Sequence, residues 1–214
     1  MWALVESGTV SRVYNGMPSK ITVSNRNYDR EQLKLMTDTE RKAIGVLPVT
    51  TSGSHLDQRF YTEKNEAFAI AGDGNSVVRT IGEKAADKKL TDTNDVDENN
   101  DPILDDHDNQ TISLGIKSQA KLKADQSAHG FIKGFGWLMQ RKVSSDKAIP
   151  EIVLDFMAAI RTDHKAICDA IDGASDLDAF IALHNDTYDS DGEVDVVARI
   201  NRWTDDYGVK GYRR

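Results

Sequence analysis

Carboxylates are the reactive groups this chain concentrates. Eight acids crowd into residues 91–110 (Asp92, Asp95, Asp97, Glu98, Asp101, Asp105, Asp106 and Asp108), and that stretch holds no Lys or Arg. Oxygen ligands at alternate positions are what a hard cation such as Ca²⁺ takes. An ordered calcium loop also needs a glycine for its sharp turn and a distal bidentate acid. Here Pro102 interrupts the most acidic part, so the stretch reads as a solvated linker. A second run, Asp186-Thr187-Tyr188-Asp189-Ser190-Asp191-Gly192, comes nearer to a calcium loop. With Gly192 at the loop glycine, Asp189 and Asp191 fall at ligand positions, but the first and last positions fall on Thr187 and Ala198. A turn accounts for the run equally, since Asp and Gly are ordinary turn residues. Neither run leads to an expected metal ligand or cofactor.

Other chemistries have fewer candidates. The five histidines (His55, His107, His129, His164, His184) are scattered, with no two at the i, i+4 spacing of a metal-binding helix. No serine sits in a Gly-x-Ser-x-Gly elbow, and Gly72-x-Gly74 lacks the Lys-Ser or Lys-Thr of a phosphate loop. Acid pairs are numerous, but linear sequence does not show which two face one cleft. Cys168 is the single cysteine, which excludes a disulfide framework within the chain; its helical surroundings lead to the expectation of a buried core thiol. The residues give no catalytic set, so the chain is read as a non-enzyme.

Removing the eight clustered acids from the 35 Asp and Glu leaves 27, equal to the 27 Lys and Arg, so the formal charge of -8 belongs to one segment. No global basic surface for wrapping nucleic acid follows from this balance. Residues 113–143 do carry six bases (Lys117, Lys121, Lys123, Lys133, Arg141, Lys142) against Asp125. The preceding acids or a neighbouring subunit can neutralise them, and a nucleic-acid partner is not expected. No apolar run approaches the ~18 residues of a membrane span, and no basic-then-apolar leader opens the chain.

The elements follow an α+β plan: a small β-rich N-terminal domain over 1–80, an acidic linker over 81–112, a helical domain over 113–204 and a C-terminal tail over 205–214. Trp2–Val5 and Val10–Tyr14 are β-prone runs around Gly8. Thr37 and Glu40 fit a capping box that starts a short helix, stopped by Gly45. Val46–Val49, broken by Pro48, suits an edge strand. Arg59–Thr62, Ala67–Ala71 and Ser76–Thr80 are further strand candidates, and 81–90 has helical composition. The acidic segment buries too little to offset its ordering entropy, so disorder is expected there. A helix should run to about Val143, weakened by Gly130, Gly134 and Gly136. Pro150 opens a second with an apolar stripe of Ile152, Leu154, Phe156, Ala159, Ile160 and Ile167. A third starts at Ser175–Asp178, and a fourth is expected around Val194–Trp203. The glycine-rich end after Asp205 reads as a free tail or an arm laid on a partner.

With no catalytic set, large aromatic residues beside polar ones become the candidates for partner contact: Phe135, Trp137, Trp203 and Tyr212. Lys133-Gly134-Phe135-Gly136-Trp137-Leu138-Met139-Gln140-Arg141-Lys142-Val143, followed by Ala148-Ile149-Pro150 and Met157-Ala158-Ala159-Ile160-Arg161, resembles the C-terminal helical part of small tail-associated proteins of marine bacteriophages, from the baseplate and fibre region. Met1-Trp2-Ala3-Leu4-Val5, Val10-Ser11-Arg12-Val13-Tyr14 and Glu40-Arg41-Lys42-Ala43-Ile44-Gly45-Val46-Leu47-Pro48-Val49 look like the N-terminus of the same group. The resemblance implies a virion protein, made in the host cytoplasm, that docks other tail or fibre proteins and forms a homo-oligomer in the particle. It leaves open a fibre-assembly chaperone that departs before maturation.

Overall fold

The computed structural model describes Met1–Arg213. Helices and strands segregate along the chain, β-rich first and helical after, so the fold is α+β. Two compact units divide at Asp87 and Lys88, giving Met1–Asp87 and Lys88–Arg214. The acidic residues therefore lie inside the second unit, where a linker over 81–112 was expected.

The first unit contains β1 (Trp2–Glu6), β2 (Thr9–Tyr14), β3 (Lys20–Val23), β4 (Arg26–Asp29), α1 (Arg30–Leu35), α2 (Asp38–Ala43), β5 (Val46–Ser52), β6 (Tyr61–Glu63), β7 (Ala67–Ile70), β8 (Val77–Thr80) and β9 (Lys84–Asp87). Five strands form a sheet in the order β2-β1-β5-β8-β7, antiparallel except for the β5–β8 pair. Successive side chains of a strand point to opposite faces, and here each face has its own core. Leu4 and Val46 pack with Ile21, Tyr28 and Leu33, while Ala3, Leu47 and Val77 pack on the other side.

The capping box forms as the sequence indicates. Thr37 Oγ1 accepts the Glu40 N–H at 3.2 Å, and Glu40 Oε2 accepts the Thr37 N–H at 2.7 Å. Gly45 follows with φ +77°, and a Cβ there would overlap Val5 O. The edge assignment for Val46–Val49 is corrected: β5 is the central strand. Pro48 is tolerated because the hydrogen-bonded pairs with β1 are the odd ones, with Val5 N–H on Gly45 O and Val49 N–H on Met1 O. Pro48 faces Trp2 in a pair that exchanges none, and the ladder to β8 starts at Val49. Residues 84–87 are also corrected, from helix to a strand paired with β6. Gly82 holds φ +74° so close to Ser54 that a Cβ would overlap its carbonyl oxygen, and this tertiary constraint overrides a weak helical preference.

The second unit contains β10 (Thr93–Asn94), β11 (Ile112–Ser113), α3 (Ile116–Lys133), α4 (Gly136–Ser145), α5 (Glu151–Gly173), α6 (Leu177–Ala182), β12 (Thr187–Tyr188) and β13 (Val194–Val196). The single helix expected to Val143 is broken at Gly134–Phe135, because Phe135 leaves helical geometry (φ −101°, ψ 0°) and turns into the core. That core joins Phe135 and Leu138 to Val153, Phe156, Met157 and Ile160 of α5. The buried stripe of α5 is Val153, Phe156, Met157, Ile160, Ile167 and Ile171. Ile152 and Leu154, placed on the expected stripe, are half-exposed; they lie off the line that the 3.6-residue period draws through Val153 and Ile160.

The helix expected at Val194–Trp203 is instead strand β13 and a short 3₁₀ turn at Arg199–Asn201. The glycine-rich end is no free tail among the described residues: Tyr207–Tyr212 form a 3₁₀ turn that buries Val209 in the core. No helix among the described residues is long and apolar enough to cross a membrane.

Candidate docking surface

Residues 93–113 build a small three-armed module from backbone and carboxylates. β10 and β11 pair as its stem. Two hairpins form the other arms, closed by the bridges Val96–Pro102 and Leu104–Gln110. At the junction three backbone hydrogen bonds run head to tail. Asp95 N–H donates to Thr111 O (2.9 Å), Thr111 N–H to Ile103 O (2.8 Å), and Ile103 N–H to Asp95 O (3.0 Å). Gln110 Nε2 donates to Asp95 O at 2.6 Å and lies within 3.5 Å of the other two carbonyl oxygens.

Both arms turn in the same way. Asp97 Oδ1 accepts N–H bonds from Asn99 (2.8 Å) and Asp101 (2.9 Å). Asp105 Oδ1 accepts them from His107 (2.8 Å) and Asn109 (3.0 Å). The third residue after each Asp is left-handed, Asn100 at φ +65° and Asp108 at φ +61°, a conformation Asn and Asp tolerate better than most. The pattern recurs in the β12–β13 hairpin, where Asp189 Oδ1 accepts from Asp191 and Glu193, both at 2.9 Å, and Gly192 takes φ +84°. Segment 91–110 is thus ordered by aspartates that satisfy backbone donors locally, a route to order that apolar burial does not measure. A signal was present: Asp followed three residues later by Asn, Asp or Gly, recurring eight residues on.

These bonds also set the electrostatics. Backbone amides, Asp101's first, hold the Asp97 carboxyl below the usual carboxylate range, and those of Asn109 and His107 do the same for Asp105. Among the described residues no three His, Cys, Asp or Glu side chains are gathered to hold a metal ion.

α3 anchors the module. Ile116 N–H donates to Lys89 O (3.0 Å) and Lys117 N–H to Leu90 O (3.2 Å), so the first helical amides are satisfied by the extended segment leading into the module. Gly115 N–H donates to Asp92 Oδ1 at 2.8 Å. Only glycine fits at 115, since a Cβ would come within 2.6 Å of the Leu90 and Thr91 carbonyl oxygens. The frame leaves Val96, Ile103, Leu104, Ile112 and Leu114 between 43% and 53% exposed. Val96, Ile103 and Leu114 line a groove of about 560 Å³.

The four aromatic candidates gather elsewhere, where the C-terminal residues close the helical core. Phe135 is buried, which removes it from any partner's reach. Trp137 is half-buried; its Nε1 donates to Tyr212 O at 2.8 Å, and the Arg141 guanidinium lies over its ring. Trp203 packs on Phe131, ring centres 5.5 Å apart. Tyr212 has the most exposed side chain of the four. Arg213 completes this closure, its guanidinium over the rings of Phe131, Phe135 and Phe156 and paired with Asp206 at 2.8 Å.

One constellation with nucleophilic groups also emerges. His164 Nε2 lies 2.6 Å from Asp125 Oδ1 and 3.5 Å from Cys168 Sγ. Cys168 is partly exposed, where a buried core thiol was expected. A nucleophile-activating histidine contacts thiol and carboxylate through different ring nitrogens, whereas here both meet one. Burial first, then the neighbouring Asp125, pushes the Cys168 thiol above its ordinary pKa, opposite to what a reactive thiolate needs.

The basic stretch 113–143 is largely engaged within the unit. Lys121 pairs with Asp172 and Lys142 with Asp146, while Lys117 and Arg141 donate to the carbonyls of Asp172 and Ala148. Comparison with known proteins returns no matching family model, no matching curated protein and no matching solved structure.

Proposed function

We propose that this chain is a structural component of a bacteriophage tail, a baseplate, tail-tip or fibre-attachment subunit that works by docking other tail or fibre proteins. The observation that carries the reading is the three-armed module, a hydrogen-bonded frame that leaves five aliphatic side chains in and beside it about half exposed, in a segment rich in carboxylates. Apolar residues grouped on a fixed frame and rimmed by polar ones are characteristic of a protein-binding patch. The resemblance of the first fifty residues and of 133–161 to tail-associated proteins supplies the setting. On this reading the protein is not an enzyme, needs no cofactor, and resides in the virion after synthesis in the host cytoplasm.

Quantitative mass spectrometry of purified particles tests the proposal. A low, whole-number copy ratio to the baseplate proteins supports it. Copies in the hundreds would move the protein to the head or tail tube. Absence from particles, with abundance in infected cells, would overturn it in favour of a fibre-assembly chaperone.

A further inference from the structure

We infer that the half-exposed face of the three-armed module docks a second copy of this chain, on the outer face of its α3. This deepens the docking reading by naming the partner and the surface it offers.

Two patches of the same unit are complementary. The module exposes Val96, Leu104 and Ile112 and carries seven carboxylates, none of which makes an ion pair with a Lys or Arg among the described residues. On α3, at about 100° per residue, Leu122, Gln126 and Lys133 fall on one outward arc of about 40°, and Lys123 lies about 60° beyond it. All four are exposed, and Leu122 is 50% so. Asp125, the only acid of that helix, points elsewhere, to His164. Lys123 and Lys133 are the two bases of the 113–143 stretch with neither an ion pair nor a hydrogen bond among the described residues. One surface is apolar and acidic, the other apolar and basic, and both stand on hydrogen-bonded frames. A contact between copies desolvates the aliphatic centre and sets the charges at the rim, the usual anatomy of an interface. Because both patches belong to one chain, a two-fold arrangement engages each of them twice.

The test is sedimentation velocity on the full chain, as a function of concentration and salt, with a charge-swap pair. Glu98 and Asp106 hold equivalent places in the two arms, and neither side chain caps a turn, so Glu98→Lys with Asp106→Lys reverses the acidic patch without removing Asp97 or Asp105. Lys123→Glu with Lys133→Glu reverses the basic one. Far-ultraviolet circular dichroism confirms that both variants fold. The wild type is expected to self-associate, more weakly at high salt. Each double variant alone is expected to associate roughly tenfold or more weakly, and the equimolar mixture of the two to recover association. A monomeric wild type, or reversed variants that associate as the wild type does, overturns the inference. If the chain is found in particles yet stays monomeric, only the inference fails, and the face belongs to another virion protein. If it associates but is absent from particles, the tail reading fails alone.

Discussion

Substituting Gly115 and Gly130 by alanine in the same helix should change stability in opposite directions. Both lie in or at the start of α3. At Gly130 an added Cβ meets nothing within 4 Å, so Gly130→Ala gains helix propensity of about 1 kcal/mol. At Gly115 a Cβ would come within 2.6 Å of two backbone carbonyl oxygens, of Leu90 and Thr91, which have no flexible end to move. Relief requires segment 89–91 to withdraw, which breaks the bonds from Ile116 N–H to Lys89 O and from Lys117 N–H to Leu90 O. At about 1 kcal/mol net for each, and about 1 kcal/mol more for alanine at an N-cap, Gly115→Ala should destabilise the junction by about 3 kcal/mol. Amide hydrogen exchange followed by mass spectrometry reads the effect peptide by peptide. Protection over 91–120 should fall roughly 150-fold in Gly115→Ala. In Gly130→Ala, α3 should exchange about fivefold more slowly, with peptides from the first unit as internal controls. If Gly115→Ala is neutral or stabilising, the module is not clamped to the helix, and the fixed docking face built on it is refuted.

Thr37→Ala should cost about 1 kcal/mol at α2, read as faster exchange in the 37–44 peptide; no change there would mean the capping box contributes nothing. Val209→Ala should cost about 2 kcal/mol in chemical denaturation of the helical unit, and a change within the error would mean the C-terminal turn is not docked on the core. The Asp97 and Asp105 carboxyls have folded pKa values depressed by backbone amides. Their contribution is therefore present above the ordinary carboxylate pKa of about 4, and it is lost as pH falls through the lower folded values. The amide resonances of Asn99, Asp101, His107 and Asn109 should titrate with midpoints below that of a free aspartate, and a midpoint at or above it would contradict the turn geometry.

Local chemistry was legible wherever neighbours in sequence are neighbours in space. The Thr37–Glu40 box, the stop at Gly45, the strands at both ends of the first fifty residues and the helical character after residue 113 all rest on contacts a few residues apart. The acidic segment shows where composition misleads. Its apolar content forecasts disorder, yet aspartates at 97 and 105 close their own turns, an ordering mechanism that hydropathy does not record. Pro48 shows the reverse: a residue that argues for an edge is accommodated in a central strand because its missing donor falls between hydrogen-bonded pairs.

Sequence alone therefore determined the α+β class, the Thr37–Glu40 cap and the stop at Gly45, and the confinement of the net charge to one segment. Only the tertiary structure decided which of the large aromatics face solvent, that Gly115 joins the acidic module to α3, that residues 103 and 111 return to Asp95, and which lysines of α3 lack a partner among the described residues. Those facts depend on contacts between distant positions, which follow from how elements pack and not from the preferences of any short stretch.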